Sequence, residues 1–544
     1  MQYNRYKQGL LALILLVFLC MQGVHLRAQQ YGNFPFQASF LDKKVPPGVV
    51  RPDPNNNSSS FEDYGLQLTP PQDGQFGAIY LNNHRFKSEL GIFIEFEFMV
   101  YDGSGGDGFC VYFFNANEPN PHIGARGAGL GYTYNRSVNN DDHRDKRAIG
   151  LNGAYMGIGF DSFGNFGTMR WQGEARVQGI PYSFYSKSGF AANGYKSNNA
   201  VVIRGGKRTT PVTSGGVTVP GMGVGYVGYP VLVNQRTVVD SGFVLANSST
   251  DPKYVVNNQL KAKQFFSIRG GKVFERPTDQ GYRKAFIEIY PNGANPTTNP
   301  DDVGFLISVM IQNEQSRDTI IYDYNYKVKT YYYENAYNNR DGDNDPGTIF
   351  DGHTITPKIL SIALPLELKI GLAASTGKKN DRHVIKNLGI RLPRSAEAHD
   401  DYLEDKYAGI PSVEFKPLLN DLAYNGVIER YQTPKPENLD PQSFRFIDDN
   451  GNQLQGQLTT EDGTWTYTAG TDYTTSKVVF VPKSSTYKGE PRARYIIKGK
   501  NDGIGPYHDD AFYSVPVVMG VNIIENPNPT VNTITNKMIT PILK

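Results

Sequence analysis

The chain has 544 residues and a formal net charge of +2, with no concentrated run of Lys or Arg, so nucleic acid is excluded as an expected partner. It is rich in Gly (57), Pro (34) and Tyr (35), and regular amphipathic helical stretches are scarce. Short apolar or alternating runs are separated instead by Gly, Asn, Asp and Pro. This pattern is typical of an all-β protein, and the length exceeds that of one domain.

The first 28 residues have the order of a secretory signal peptide. Arg5 and Lys7 precede an apolar run over residues 10–21, and a polar stretch leads to Ala28. The run is too short to prefer crossing a bilayer, so we expect cleavage near Ala28. No later stretch is apolar enough for a membrane span. The sequence therefore predicts a secreted or cell-surface protein.

Cleavage would remove Cys20 and leave Cys110 as the one remaining cysteine, so no intrachain disulfide is expected. Cys110 lies in an apolar run without a neighbouring positive charge in the sequence. A buried, inert thiol is therefore expected rather than a nucleophile.

The mature chain divides by composition near residues 392–400. We predict one large β-domain over residues 31–394, a smaller β-sandwich over 399–522, and a tail over 523–544. Long Gly-, Asn- and Asp-rich stretches at 205–228 and 335–352 are expected to be surface loops. Strands are expected at Ile92–Val100, Phe286–Tyr290 and Phe305–Ile311, and in the second domain at Ser443–Ile447, Thr464–Thr468, Lys477–Val481, Arg494–Lys498 and Phe512–Val518.

Four separated segments of the first domain combine loop glycines with polar residues. They are Gly105–Phe109, Gly127–Tyr132, Met156–Gly167 and Leu368–Leu388. In the third segment an apolar run ends in Asp161-x-Phe163-x-Asn165. The side-chain oxygens of Asp161 and Asn165, with a carbonyl between them, form a hard-oxygen set of the kind that calcium binds. The same pattern is also typical of a plain turn with Asx hydrogen bonds.

In order and chemistry these four segments resemble bacterial members of the legume-type (L-type) lectins. The resemblance covers residues 31–394 and implies a concanavalin A-like jelly roll of two large antiparallel sheets. It also implies a non-catalytic protein that binds glycans, with possible homo-oligomers formed through the flat back sheet.

The resemblance implies a sugar site built from several loops. Asp107 would accept hydrogen bonds from sugar hydroxyls, and a backbone N–H of Ala128 or Gly129 would donate one. Phe163 would stack on the sugar, and Asn165 would donate its amide. Lys378 and Lys379 lie in the loop expected to set specificity, whereas His383 is expected to be structural. A turn at Asp107-Gly108 and a glycine-rich hairpin at 127–131 are the simpler alternatives.

The resemblance also implies a calcium site formed by Asp161, the carbonyl of Phe163, and Asn165. The sequence departs from the family pattern here, because Gly159 replaces a carboxylate and Arg170 stands where an aspartate is usual. No transition metal is therefore expected, and calcium lacks a fourth protein ligand unless Glu174 replaces it.

Residues 399–522 resemble the CshA-type repeats of bacterial surface fibrils. The matching segments are Leu419–Asp421, Leu439–Ser443, Asp462–Thr466, Val479–Pro482 and Tyr487–Pro491. The resemblance implies a β-sandwich spacer with Trp465 in its core.

Three functions are compatible with these observations. The first is a glycan-binding adhesin with a lectin head and a β-sandwich stalk. The second is a structural surface protein whose sugar site has decayed. The third is a glycoside hydrolase on the same jelly roll, with Glu95 and Glu97 on one strand face as the carboxylates. The two glutamates lack a third acidic partner and are simply explained as the polar face of their strand, so an enzyme is not expected.

Overall fold

The structure is a computed structural model. It describes residues 36–119, 121–133, 150–167, 198–207, 213–214, 217–218, 229–239, 242–246, 253–256, 265–272, 274, 276–292, 303–333, 357–425, 434–500, 513–527 and 538–539. The predicted signal peptide, the loop at 335–352, Arg170 and Glu174 lie outside these residues. None of the helices in the described ranges has the length and apolar character required to cross a membrane.

The described residues form β-strands and short 3-10 helices. In chain order the strands are β1 Phe36–Ala38, β2 Val49–Val50, β3 Ser60–Glu62, β4 Gly65–Thr69, β5 Phe76–Leu81, β6 Phe86–Lys87, β7 Ile92–Tyr101, β8 Gly108–Asn115, β9 Ala154–Asp161, β10 Ala200–Gly205, β11 Thr213–Ser214, β12 Val217–Thr218, β13 Val231–Arg236, β14 Gly242–Ala246, β15 Lys253–Val256, β16 Arg283–Asn292, β17 Gly304–Asn313, β18 Ser316–Lys327, β19 Lys329–Tyr333, β20 Pro357–Ser361, β21 Glu367–Ser375 and β22 Arg382–Arg391. They continue with β23 Asp401–Tyr407, β24 Val413–Phe415, β25 Arg445–Ile447, β26 Gln453–Leu454, β27 Gln457–Thr460, β28 Gly463–Thr468, β29 Lys477–Pro482, β30 Arg492–Ile496, β31 Val517–Ile524 and β32 Met538–Ile539. The 3-10 helices are Pro54–Asn56, Gly127–Gly129, Pro417–Leu419, Pro436–Asn438 and Pro441–Ser443.

Two large sheets form the first part of the fold. An eight-stranded sheet has the order β18-β17-β16-β7-β22-β4-β3, with β1 paired to β22. A ten-stranded sheet has the order β15-β14-β13-β10-β9-β8-β21-β5-β2, with β6 paired to β21. The prediction of an all-β jelly-roll sandwich is confirmed. The predicted strands at 286–290 and 305–311 are paired neighbours, β16 and β17, in the eight-stranded sheet.

Aromatic side chains fill the space between these two sheets. Phe96 and Phe98 of β7 pack against Phe109 of β8 and Phe160 of β9, and all four are at most 1% exposed. The rings of Phe109 and Phe160 stack at 4.5 Å, and Phe98 lies 5.3 Å from Phe109. Fully burying a side chain of this size stabilises the fold by roughly 2 kcal/mol.

The ten-stranded sheet is covered on its other face as well. Cys110, Tyr112 and Phe114 alternate with the inward residues of β8 and join a second cluster with Tyr132, Phe166 and Tyr229. Because both faces of the sheet are buried at β8, the sequence of this strand is an almost continuous apolar run and does not alternate between apolar and polar residues. Cys110 is fully buried, and this burial raises the pKa of its thiol, as expected for an inert cysteine.

The chain divides into two compact units, residues 38–388 with 541–544, and residues 389–540 with 1–37. The second unit contains a six-stranded sheet, β26-β25-β30-β31-β23-β32, and a four-stranded sheet, β24-β29-β28-β27. Trp465 is 0% exposed and packs 4.5 Å from Phe480 and 5.3 Å from Phe415. It is therefore a core residue, as predicted.

The strand predicted at 512–518 instead spans Val517–Ile524. Tyr513 and Val515 are buried, at 4% and 5% exposure, but lie outside a strand. Pro516 has no N–H to donate to a strand ladder, and β31 begins directly after it. Within the predicted tail, Met538 and Ile539 pair with Leu403 and Tyr402 of β23.

Candidate functional site

The register of the ten-stranded sheet aligns three of the four sequence segments. Gly108 of β8 is paired with Ser375 of β21 on one side and with Asp161 of β9 on the other. Gly108 begins its strand, whereas Ser375 and Asp161 end theirs. The loops before β8, after β9 and after β21 therefore leave the sheet at the same end.

Asp107 lies where these loops converge and is 5% exposed. Its N–H donates to the Ser375 carbonyl at 2.9 Å, and its own carbonyl accepts from the Phe163 N–H at 3.0 Å. The Ser162 hydroxyl donates to the same carbonyl at 3.1 Å. A Cβ at Gly377 would lie 3.4 Å from an Asp107 carboxylate oxygen. Two separate loops therefore hold the main chain of Asp107, and Gly377 lies next to the carboxylate that was predicted to bind sugar.

The second segment is hydrogen-bonded to Ser375, which is paired with Gly108 in the ten-stranded sheet. Its 3-10 helix spans Gly127–Gly129, and the Gly127 N–H donates to the Ser375 hydroxyl at 2.6 Å. The Gly129 N–H donates to the Arg126 carbonyl at 3.4 Å. Within the described residues the Ala128 N–H donates no hydrogen bond, in contrast to the Gly129 N–H.

The third segment forms a tight loop organised by Asp161, which is 1% exposed. One carboxylate oxygen accepts the Gly164 N–H at 2.6 Å and the other accepts the Gly167 N–H at 2.7 Å. Burial raises the pKa of Asp161 to about 7, and the nearby charge of Asp107 adds to this effect. Phe163 and Asn165 are half-buried.

The apolar ring of Phe166 occupies the space beside Gly159, at the position where the resembling family has a carboxylate. A Cβ at Gly159 would lie 2.4 Å from the Phe166 ring. The buried Arg204 side chain fixes this loop, because its Nε donates to the Phe166 carbonyl at 2.9 Å. The Arg204 guanidinium also lies 4.9 Å from the Phe166 ring centre. The sequence analysis missed Arg204, although a single cation inside the apolar strand Ala200–Gly205 was a usable signal.

The loop between β21 and β22, residues 376–381, is the specificity loop predicted from the sequence. It borders the Asp107 loop, residues 102–107, which connects β7 and β8. Lys378 and Lys379 are exposed, and the Gly377 N–H donates to the Lys379 carbonyl at 3.0 Å. A Cβ at Gly106 would lie 2.6 Å from the Lys379 Cβ. Lys379 is therefore next to the residue that precedes Asp107.

Arg269 was also missed by the sequence analysis. It bridges the two loops by donating to both carboxylate oxygens of Asp381, at 2.8 and 2.9 Å. Arg269 is more than 100 residues from either loop in the chain, and no local pattern marks it.

The donor chemistry at this end of the sheet fits calcium. Asp161, Asn165 and the Phe163 carbonyl offer oxygen ligands, and a carboxylate that accepts two N–H groups keeps further lone pairs. A divalent cation would also relieve the repulsion between Asp107 and Asp161. Among the residues that the structure describes, no group of three or more His, Cys, Asp or Glu side chains could hold a metal ion.

The remaining sequence candidates lie in structural interactions. Glu95 pairs with Lys284 at 2.7 Å and Glu97 with Lys386 at 3.2 Å. These ion pairs agree with the explanation of the two glutamates as the polar face of β7. His383 is 0% exposed, and its Nδ1 lies 2.7 Å from the Thr69 hydroxyl. Burial lowers the pKa of His383 to about 3, so the ring is neutral.

No protein-family model matches the sequence, and the comparison with curated proteins gives no match. Several solved structures resemble the chain at low identity. The exoplasmic/lumenal domain of VIP36 in a Ca²⁺/Man3GlcNAc-bound form is 13% identical, with a TM-score of 0.27 over 66% of this chain and 90% of that one. Lectin I-B4 from Griffonia simplicifolia, in a metal-free form, is 10% identical, with a TM-score of 0.29 over 66% and 98%. The lectin from Bauhinia forficata in complex with GalNAc is 12% identical, with a TM-score of 0.27 over 65% and 97%. At these values the likeness carries no argument about function.

Proposed function

We propose that this protein is a non-catalytic carbohydrate-binding protein whose ligand lies at the end of the ten-stranded sheet. Asp107 accepts sugar hydroxyls, Ala128 donates its N–H, Asn165 donates its amide and Phe163 stacks on the ring. Gly129 keeps the backbone next to Ala128 free of side-chain bulk, and Lys378 and Lys379 form the rim. A buried carboxylate suits this task because it accepts neighbouring hydroxyls through charge-assisted hydrogen bonds.

The observation that carries this proposal is the paired row Ser375–Gly108–Asp161. It brings together three loops around one acidic residue, and the loop after β21 lies more than 200 residues from the other two in the sequence. Sugar sites need several polar groups that converge from rigid elements. The ends of three neighbouring strands supply such a frame.

Calcium is the cofactor that we propose, held by Asp161, Asn165 and the Phe163 carbonyl. When bound, it would neutralise the buried carboxylates and fix the loop that carries Phe163 and Asn165. We propose no transition metal, because the Phe166 ring lies against Gly159.

We further propose that the protein is secreted or displayed on a bacterial surface, with the second unit as a spacer of the CshA type. The order of charge, apolar run and polar stretch in residues 1–28 supports export. Association through the eight-stranded sheet is part of this proposal.

The first test is a glycan array on the full mature chain, run with calcium and with chelator, comparing the natural protein with Asp107→Asn. The substitution keeps the size of the side chain but removes its charge, so we expect affinity to fall by about tenfold or more. Neutralising Asp107 also relieves repulsion on Asp161, so the Tm should not fall. Asp63→Asn, which alters an exposed acid paired with Lys43, is the control and should bind as the natural protein does. Unchanged binding by Asp107→Asn would refute the site.

The second test follows thermal unfolding with calcium, magnesium or chelator between pH 5 and 8. The pKa of Asp161 is raised above its unfolded value to about 7. Without metal, its contribution to stability is therefore present at low pH and is lost as the pH rises through about 7. Because calcium binds the ionised form, the Tm increase that it causes should grow with pH and vanish in Asp161→Asn. Identical melting curves in calcium and chelator at pH 8 would count against the metal.

A structural surface protein with a decayed sugar site is the second candidate. It is favoured by one observation, the apolar Phe166 ring beside Gly159. A folded natural protein that binds no glycan in either array condition would support this candidate.

A further inference from the structure

The loop that carries Asp107 is fixed to the specificity loop by successive backbone amides. The N–H groups of Ser104 and Gly105 donate to the Asn380 carbonyl at 2.7 and 3.1 Å. The Gly106 N–H donates to a carboxylate oxygen of Asp381 at 3.2 Å. The Asp107 N–H then donates to the Ser375 carbonyl. Every amide from Ser104 to Asp107 is therefore bonded to the segment 375–381.

Arg269 holds this arrangement from a third direction. Its Nε and Nη2 donate to the two oxygens of Asp381 at 2.8 and 2.9 Å, and Nη2 also donates to the Gly103 carbonyl at 2.7 Å. The Asp381 side chain is 0% exposed, whereas that of Arg269 is 36% exposed. Planar, bidentate pairs of this kind are stronger and more directional than single hydrogen bonds.

The Asp381 carboxylate is the hub of these interactions. Burial raises its pKa, and the hydrogen bonds and charge of Arg269 act in the opposite direction. Without Arg269, a buried carboxylate would lose its cationic partner, and the Gly103 carbonyl would lose a donor. A lysine could supply the charge but not the fork that reaches both Asp381 and Gly103.

The position of the Asp107 carboxylate depends on these bonds. A site that recognises hydroxyls must hold its groups within about 0.5 Å of the productive geometry. Asp107 directly follows the three bonded amides, and Lys379 lies against Gly106. A shift of the Gly103–Gly106 backbone would therefore move the carboxylate and the rim together.

We propose that Arg269 is a positioning residue of the candidate sugar site, which locks the Asp107 loop and the specificity loop into one rigid unit through Asp381. This inference rests on the proposed function. It assigns to Arg269 a role in affinity without contact with the sugar.

The main test compares three variants with the natural full chain. Arg269→Lys keeps the charge, Asp381→Asn removes the ion pair, and Arg269→Met with Asp381→Asn removes both charges and leaves no buried unpaired carboxylate. Glu95→Gln is the matched control, because Glu95 pairs with Lys284 at 2.7 Å on the eight-stranded sheet. Hydrogen exchange at the amides of residues 104–106, Tm, and the Kd for a glycan identified on the array are measured for each.

We expect the three variants at Arg269 and Asp381 to exchange faster at residues 104–106 and to bind the glycan about tenfold or more weakly than the natural protein. Glu95→Gln should lower the Tm about as much as these three variants do. It should change neither the hydrogen exchange at residues 104–106 nor the Kd for the glycan. This contrast separates positioning from a general loss of stability. Because the double variant carries no uncompensated charge, it keeps the test decisive if a single variant fails to fold.

Two results would overturn the inference. One is unchanged exchange at residues 104–106 in the double variant, which would show that Arg269 does not hold the loop. The other is faster exchange with an unchanged Kd, which would show that loop order does not govern binding. Failure of the proposed function is distinguishable from both. In that case the natural protein binds no glycan, and the positioning role in binding fails with it, even if loop exchange still depends on Arg269.

Discussion

The Phe166 ring determines what position 159 can hold. It covers the Gly159 Cα so closely that an added Cβ would lie 2.4 Å from a ring carbon. Phe166 is itself 1% exposed and packs beneath Arg204, so the ring has little freedom to move. The departure from the family pattern at Gly159 is therefore part of a packed apolar arrangement.

We predict that Gly159→Ala lowers the free energy of unfolding by about 1–3 kcal/mol, because overpacking forces neighbouring atoms to shift. Urea unfolding of the full chain measures this change. The double variant Gly159→Ala with Phe166→Leu should recover part of the loss relative to the sum of the single variants. Strict additivity of the two changes would contradict the assigned clash.

At the level of elements, the pairing of strands decides which loops meet. The sequence analysis identified β7, β16 and β17 by their apolar runs, and its boundaries fall within a few residues of the observed ones. It also selected Asp107, Asp161 and the segment after Ser375 through the family resemblance. Local pattern alone could not show that Gly108, Asp161 and Ser375 share one row, because register depends on contacts between distant strands.

A buried acidic pair joins three elements of the second unit. The Tyr495 hydroxyl of β30 lies 3.0 Å from an Asp401 oxygen and 2.8 Å from an Asp421 oxygen. It is also 3.2 Å from the Pro417 carbonyl and 3.4 Å from that of His399. A phenol has one hydrogen to donate and can also accept, so one carboxylate can receive the Tyr495 hydrogen while the other, when protonated, donates to the Tyr495 oxygen. Burial raises the pKa of both Asp401 and Asp421 well above the usual range. The charge of Asp421 adds to the rise at Asp401, and the charge of Asp400 adds to the rise at Asp421.

We predict that the stability of the second unit falls as the pH rises. Both folded pKa values are raised, so the contribution of this pair is present below the unfolded pKa of about 3.9 and is lost as the pH passes the folded values. Each proton contributes a slope of at most about 1.4 kcal/mol per pH unit. Trp465 fluorescence during urea unfolding, in a Trp171→Phe background, measures the slope.

Asp401→Asn should flatten this pH dependence, because it removes one of the two titrating groups. Asp405→Asn, an exposed position on the same strand, is the control and should keep the slope of the natural protein. An Asp401→Asn variant with the same slope as the natural protein would show that Asp401 does not titrate with a raised pKa in the folded state.

At the level of the whole molecule, the chain forms two compact units, and Gly389 begins the second. The predicted second domain at 399–522 omits Ala396 and Ile523, which are 0% and 2% exposed in its core. It also cuts into β31, which continues to Ile524. The composition change near residues 392–400 lies close to Gly389 but does not identify the residues that belong to the core of the second unit.

We predict that residues 389–540 fold alone with a single cooperative transition, and that residues 399–522 are less stable or unfolded. The shorter fragment loses buried apolar surface and the end of a paired strand, each of which stabilises the core. Circular dichroism and thermal melting of both fragments test this. A disordered 389–540 fragment would contradict the independence of the second unit.

The sequence by itself determined that this is an all-β chain, where its main strands lie, and that Cys110 is buried, because apolar periodicity is a local property. The burial of Trp465 was expected from the resemblance to a known family of repeats. Only the tertiary structure decided that β8, β9 and β21 end in one row, that Phe166 fills the space beside Gly159, and that Arg269 and Arg204 hold the loops. These contacts join residues far apart in the chain. Their geometry follows from strand register and packing, which no short stretch of sequence encodes.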